Sequence, residues 1–255
     1  MSYNFQNAIV RKPSKSIINA ISSKNIKPNY KKIFDEHRKY IKSLISLRIN
    51  VHILNPLENF PDSIFVEDPA LAYKDNCILL RPGTQFRFGE SIAFSKDIKN
   101  YFKKILYTES GKVEGGDILR INDHFIIGLS DRTNKDGAEN LSYILRSLGA
   151  SVEISSTPKD ILHFKTHCSL IDNDTILLTK KMKRLNIFNQ KYNLIEVPEG
   201  EEIAANSLRI NDYLLIPKGF KKTEDLLSKN YNLILLEVSE ITKVDAGLSC
   251  MSIRW

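Results

Sequence analysis

The chain has 255 residues, 42% of them hydrophobic and 26% charged, the balance of a globular protein with a sizeable core rather than of a disordered or fibrous chain. No apolar run approaches the roughly 18 residues that a membrane span needs, and the opening MSYNFQNAIVRKPSKS has neither the apolar stretch nor the cleavage site of a secretory leader, so a cytoplasmic protein with no membrane partner is expected. The net charge of +7 gathers in Lys103-Lys104 and Lys180-Lys181-Met182-Lys183-Arg184 without interleaved aromatics or a nucleic-acid motif, which reads as solvated basic surface with no nucleic-acid partner.

Near the N-terminus, Ala8-Ile9-Val10-Arg11-Lys12-Pro13 reads as a strand, followed by a polar stretch over residues 14–27. Over residues 29–48, Ile33, His37, Ile41, Leu44 and Arg48 recur at helical spacing, with Ile45 and Leu47 alongside, and predict an amphipathic helix. A strand at Asn50–Leu54 follows. LAYKDNCILLR from Leu71 is the first of four near-copies of one phrase, the others being LRINDHFIIGL from Leu119, LIDNDTILLTK from Leu170 and LRINDYLLIPK from Leu208. Each carries Asp four places after its leading Leu (Asp75, Asp123, Asp174, Asp212), then a run with paired aliphatics. The pattern predicts strand, tight polar turn, strand, because Asn and Asp tolerate turn geometry and the aliphatic flanks suit a buried sheet. Further strands are expected at Lys104–Tyr107, 150–154, 193–197 and Asn232–Leu236, and a second clear helix at 137–148, ended by Gly149.

The pieces form a repeat of strand, connector, hairpin and helix, with a period of about 40–50 residues, in the range of propeller arrays. Five edge strands accompany only four hairpins, and residues 8–13 resemble Ile78-Leu79-Leu80-Arg81-Pro82, so the two chain ends are expected to zip together as the fifth unit. Ring closure would remove exposed sheet edges. The expected fold is therefore α/β, a single catalytic domain over residues 1–255 built as a five-bladed propeller of pseudo-fivefold repeats.

Unusual residues stand just before the leading Leu of the repeats: Phe65-Val66-Glu67-Asp68, Glu114-Gly115-Gly116-Asp117 and His163, with Asp245 and Cys250 in the fifth unit. Taken singly, a lone Cys is more often an inert buried hydrophobe and a lone His a structural one. At equivalent positions of a ring they would converge on one cavity, and their joint placement argues for a site. A Cys with a His supplies a nucleophile and a general acid/base. The surrounding carboxylates Glu67, Asp68, Glu114, Asp117 and Asp245 would hold a cation with several donors, best a guanidinium, whose planar fork matches carboxylates bidentately. The other two cysteines, Cys77 and Cys168, fall on hairpin strands and read as packing residues; three cysteines without CxxC spacing argue against disulfides and a zinc knuckle.

Phe65-Val66-Glu67-Asp68, Glu114-Gly115-Gly116-Asp117, Gly128-Leu129-Ser130-Asp131-Arg132-Thr133-Asn134, Leu162-His163-Phe164-Lys165 and Ser249-Cys250-Met251-Ser252 resemble the motifs of dimethylarginine dimethylaminohydrolases, members of the guanidino-modifying superfamily with the pentein propeller fold. The resemblance implies Cys250 as nucleophile on the guanidinium carbon, His163 as acid and base, and Glu114 as its orienter. It further implies Asp68 and Asp245 on the guanidinium nitrogens, Asp62, Phe65 and Glu67 in the same pocket, and Arg87 and Arg132 on the substrate α-carboxylate. Backbone contacts are implied from Val244 and from near Ile17, within a mobile lid over residues 14–27. The substrate would be a zwitterionic amino acid, arginine or methylated arginine, and the product citrulline. No cofactor or metal is implied; Zn²⁺ caught by the Cys-His pair would inhibit. A homodimer is the assembly considered. The rival readings are an arginine deiminase acting on free arginine, an amidinotransferase, and a non-catalytic ring such as the ribosome subunit anti-association factor.

Overall fold

In the computed structural model, which describes residues 2–188 and 191–255, the described strands group into five three-stranded sheets. The chain enters through β1 (Asn7–Arg11), crosses over α1 (Tyr30–Ser46) and returns as β2 (Asn50–Leu54), parallel to β1. The hairpin of β3 (Ala70–Tyr73) and β4 (Asn76–Leu79) is followed by α2 (Glu90–Asp97) and β5 (Lys104–Tyr107). The same order recurs in β6 (Ile118–Ile121), β7 (His124–Leu129), α3 (Lys135–Ser147) and β8 (Ser151–Ser156), and again in β9 (Cys168–Leu170), β10 (Thr175–Leu178), α4 (Lys180–Lys183) and β11 (Asn193–Glu196). The fourth copy comprises β12 (Leu208–Ile210), β13 (Tyr213–Pro217), α5 (Lys221–Leu227) and β14 (Asn232–Leu236). Finally β15 (Ile253–Arg254) pairs antiparallel with β1, Ala8 opposite Arg254 and Ile9 opposite Ile253, so the end of the chain completes the sheet that its start began.

The phase of the repeat differs from the sequence expectation. Each outer strand belongs to the hairpin before it: β5 runs parallel to β4, and β14 parallel to β13. A parallel neighbour can be reached only through a long crossover, and the helix after each hairpin is that crossover. The hairpin turns are as expected. The residue before the repeat Asp has left-handed backbone at Lys74 (φ 53°), Asn122 (φ 57°) and Asn211 (φ 51°), a conformation that Asn adopts at little cost. Both clear helices lie within two residues of their expected bounds, and each is opened by an Asn side chain, Asn29 accepting from the N–H of Lys32 and Asn134 from that of Gly137.

The paired aliphatics owe their presence to the middle strands being buried on both faces. Along a strand successive side chains point to opposite sides, and here opposite sides belong to different cores. Ile78 joins the core it shares with Phe125 and Ile127, while Cys77 and Leu79 join the one shared with Ile9 and Ile253. Ile126 packs with Cys168 and Ile176, Leu177 with Leu214 and Ile216, and Leu215 with Ala8 and Val10. Five such cores thus lie between successive sheets, and the sheet of β1 and β15 shares one with the first hairpin and another with the fourth. Cys77 and Cys168 are fully buried packing residues, as the sequence implied.

Ile9, fully buried and registered against Ile253, reports on this closure. Ile9→Ala should destabilise the protein by about 2–4 kcal/mol, the usual cost of a large-to-small change in a tight core. Urea denaturation measures it, and a loss below about 0.5 kcal/mol would show that the terminal pairing contributes little.

Candidate active site

The reactive residues share one structural address, the short turn leading into the first strand of a sheet. Glu67 and Asp68 precede β3; Glu114 opens a single 3-10 turn before β6; His163 opens another before β9; Cys250 lies in a third before β15. A cavity of about 20 Å³ is lined by Cys250, His163, Asp68, Asp62, Phe65 and Arg132, together with Arg87, Val244 and Asp245. Residues up to 229 positions apart in sequence, Ile21 and Cys250, thus line one cavity.

The Gly115-Gly116 pair explains how they approach so closely. A Cβ on Gly116 would lie 2.7 Å from the His163 ring, and one on Gly115 would lie 1.9 Å from the carbonyl oxygen of Glu67. Their N–H groups donate to Asp68, Gly115 to its carbonyl and Gly116 to its Oδ1, both at 3.2 Å. Asp117 is completely buried and accepts from the hydroxyls of Ser130 and Thr133, each at 2.7 Å, and from the N–H of Phe164 at 2.8 Å, which fixes the backbone beside His163. Asp117 is therefore a scaffold residue rather than a substrate ligand.

The ring Nε2 of His163 lies 2.7 Å from Oε2 of Glu114. The second oxygen of that buried carboxylate accepts from the N–H of Gly83 at 2.7 Å and from Arg132 Nη1 at 3.3 Å. Burial acts to raise the Glu114 pKa, but the hydrogen bond and charge of His163, with Arg87 and Arg132, outweigh it and hold the carboxyl at about 2. Burial acts to lower the His163 pKa, but Asp117, the Glu114 hydrogen bond and Asp68 outweigh it and lift it to about 9. The imidazole is thus a cation at neutral pH. For Cys250 every large influence points one way: burial, then Asp68 and Glu67, push the thiol up to about 12. The neutral thiol is thus the favoured form of Cys250.

Besides Asp117, three sequence-expected residues are placed differently from the expectation. Glu67 is turned away from this cavity and lines another, where it pairs with Lys165 at 2.7 Å and Arg254 at 3.0 Å and accepts from Ser249 Oγ at 3.1 Å. Two cations have claimed it. Ile17 is fully buried in the hydrophobic core behind the lid; the residue that lines the cavity is Ile21, whose N–H donates to Asp62 at 3.3 Å. Arg87 is caged, donating to Asp68 at 2.6 Å and to both oxygens of Glu90 at 3.0 and 2.6 Å, because a buried guanidinium needs carboxylates around it. In this conformation Arg132 has the more open guanidinium of the two.

Within the expected lid, residues 14–27, hydrogen bonds run to the same carboxylates expected to hold the substrate. Ile21 donates to Asp62, Ser23 N–H and Oγ donate to Asp245 at 2.5 and 2.8 Å, and Ser22 Oγ donates to the Lys243 carbonyl at 2.5 Å. Asp245 has left-handed backbone (φ 57°), which turns the chain at the cavity wall. The fourth sheet contributes a residue that no motif along the chain marks. Asn206 stands two places before Leu208, as Asp117 does before Leu119; its Oδ1 accepts from the Ser249 N–H at 3.1 Å and its Nδ2 donates to the Lys165 carbonyl at 3.1 Å. It fastens the segment that carries Cys250 to the one that carries His163.

Oxygens of Asp68 and Glu114 and a nitrogen of His163 lie within 4.8 Å of one another, a donor set that could hold a divalent cation. Arg87 on Asp68, Arg132 on Glu114 and the protonated imidazole already supply the positive charge there, so a metal would have to displace a guanidinium and a proton.

The electrostatics give two signed expectations. A histidine with a raised pKa stabilises the fold fully below about pH 6.5 and loses that contribution as the pH rises through about 9; a depressed carboxyl contributes above about pH 4.5 and loses it as the pH falls through about 2. Glu114→Gln should therefore lower the His163 pKa, read by NMR titration of the ring. It should also cost about 3 kcal/mol at pH 7, a deficit that shrinks as both proteins are taken to pH 10; a deficit independent of pH would contradict the pairing.

The arginine deiminase family model matches residues 92–222 of the chain. A dimethylarginine dimethylaminohydrolase of Pseudomonas aeruginosa is 35% identical over 98% of this chain and all of its own length, and one of Streptomyces coelicolor 24% identical over 97% of this chain and 96% of its own. Among solved structures, the Pseudomonas enzyme, as a cysteine-to-serine variant complexed with citrulline, superimposes with a TM-score of 0.95 at 34% identity, covering 99% of this chain and 100% of that one. The N-terminal domain of ArgZ, a cyanobacterial arginine dihydrolase, shares the fold at a TM-score of 0.84 and 17% identity, over 98% of this chain and 97% of that domain. On sequence and fold together, this chain belongs to the dimethylarginine dimethylaminohydrolase family.

Proposed function

We propose that this protein hydrolyses the guanidinium group of Nω-methylated arginine, giving citrulline and an alkylamine. One observation carries the reading: Cys250, Asp68 and a His163 bonded to Glu114 line a single cavity. The fold is read as one domain, a closed five-bladed propeller with the terminal strands β1 and β15 in the closing blade, and its place of work as the cytoplasm.

The chemistry follows from the charges. The guanidinium enters between Asp68, Asp62 and Asp245, displacing the lid and Arg87 donors that occupy them, while Arg132 takes the α-carboxylate. A cation beside the sulfur reverses the effect of the carboxylates, so the thiol proton leaves to solvent as the substrate docks. Sulfur attacks the guanidinium carbon; the protonated His163 gives its proton to the departing amine, and the carbon remains bound to sulfur as a thiouronium. The imidazole, now neutral, takes a proton from water; hydroxide adds to the same carbon, sulfur leaves as thiolate, and the added hydroxyl gives its proton to solvent, which leaves citrulline. Glu114 keeps the ring oriented and stabilises its charged form. No cofactor is needed.

The cavity of about 20 Å³ holds little more than a water, so the lid over residues 14–27 must swing open for each turnover. An arginine deiminase activity on unmethylated arginine is the second reading, favoured by the family model that matches residues 92–222. Parallel turnover assays separate them: kcat/KM should be higher on Nω,Nω-dimethylarginine, and greater efficiency on arginine would transfer the assignment to the rival.

Cys250→Ser should remove citrulline formation by at least about 10³-fold with the fold intact by circular dichroism; retained turnover would refute the nucleophile. Alkylation of Cys250 by a neutral haloacetamide should be slow at pH 7 and rise about tenfold per pH unit towards pH 10, since only the thiolate reacts. Asp68→Asn should speed it at every pH in that range, because Asp68 contributes to the raised thiol pKa; equal rates in the two proteins would dismiss Asp68 as a cause.

A further inference from the structure

The larger cavity that Glu67 lines, about 120 Å³ in volume, has no role in the chemistry above. All five first strands contribute to its wall: β3, β6, β9, β12 and β15. It shares no lining residue with the catalytic cavity, although Glu67 and Ser249 line the one while their chain neighbours Asp68 and Cys250 line the other. The two cavities are stacked against opposite sides of the same backbone turns.

Its charge is one-sided. Arg120, Lys165, Arg209 and Arg254 line it against a single carboxylate, Glu67, which is already engaged by Lys165 and Arg254. Arg120 and Arg209 stand at the same place in two copies of the repeat, the Arg of Leu-Arg-Ile-Asn-Asp, and each donates Nε to the carbonyl of its own turn, Asn122 at 2.9 Å and Asn211 at 2.8 Å. Each guanidinium lies over two rings, Arg120 at 5.0 Å from Tyr73 and 5.9 Å from Phe125, Arg209 at 5.3 Å from Tyr3 and 5.4 Å from Tyr231. Neither forms an ion pair among the described residues. The stacking holds the planes in place and leaves their outer nitrogens to be satisfied by something else.

The polar atoms say the same. Arg209 Nη1, Arg254 Nε and Ser169 Oγ are buried without a hydrogen-bond partner, and all three residues line this cavity; Ser169 is only 8% exposed. Buried donors without acceptors are rare because each costs its full desolvation. Three in one cavity, beside an excess of cations, call for a compact group with several acceptor oxygens.

We propose that this cavity, ringed by the five first strands, is a binding site for a small tetrahedral oxyanion of the phosphate class, gripped by Arg120, Arg209 and Arg254 with Ser169. The volume admits such an ion with a water or two and is too small for a nucleotide. The Arg forks provide paired donors for its oxygens.

Calorimetric titration of the full-length protein with inorganic phosphate tests it, at pH 7.5 and with ionic strength held constant by chloride. One saturable site is expected. Arg209→Met and Arg120→Met keep side-chain bulk over the rings but remove the charge, and each should weaken binding about tenfold or more. Lys180→Gln, in the exposed basic cluster, should leave it unchanged. Absence of saturable binding to the wild-type protein overturns the proposal, as does undiminished binding to both Met variants or a loss in Lys180→Gln as large as theirs. If one Met variant fails to fold, the other still carries the comparison, and the wild-type titration stands without either.

Discussion

The constraint on which the site depends is the burial of the Glu114 carboxylate. It has no contact with solvent, so its charge must be matched by groups brought to it: the Gly83 N–H, Arg132 and the His163 ring. Those three come from the loop after β4, the loop after β7 and the turn before β9. One buried charge therefore ties together segments that nothing local would hold. Together with Asp117 and Asp68 it also raises the imidazole pKa and so favours the ring's charged form.

The five-sheet architecture makes that meeting possible at modest cost. Each middle strand is apolar on both faces because each face belongs to a different core, and the turns before the first strands are bonded to one another, Gly116 to Asp68, His163 to Glu114 and Ser249 to Asn206. The repeated hairpins carry the packing, and their entry turns are free to differ. Glycine at 115 and 116 lets two such turns approach within contact distance of a histidine ring and a backbone carbonyl. The fourth turn carries no reactive group and supplies Asn206 as a brace.

The same turns separate opposite charges over a short distance. On one side, Asp62, Asp68 and Asp245 line the cavity of Cys250, and burial, with Asp68 and Glu67, pushes its thiol pKa up. On the other, Arg120, Arg209 and Arg254 exceed the lone carboxylate of Glu67. Glu67 sits between as a neutralising layer, its carboxylate on the basic side and its N–H donating to the carbonyl of Cys250 at 3.3 Å. In the closed conformation the chain's own donors, from Ile21, Ser23 and Arg87, rest on carboxylates suited to a guanidinium.

The sequence by itself determined the local and the periodic: the turn chemistry of the four Asp repeats, the capped helices near 29–48 and 137–148, the five edge strands, and the equivalence of the positions holding Asp68, Glu114, His163 and Cys250. These follow from side-chain properties within a few residues, or from repetition that needs no coordinates. Only the tertiary structure decided which hairpin each outer strand joins, because strand pairing is set by the crossover and not by proximity in sequence. Only it showed that Glu67 faces away from Asp68, since adjacent residues at a turn can serve opposite cavities. Ile21 rather than Ile17 lines the site because the intervening 3-10 turn at Lys15–Asn19 buries Ile17 in the core. Arg87 is caged for the same general reason: where a long side chain finds its counter-charges depends on packing from distant segments, which no pattern along the chain records.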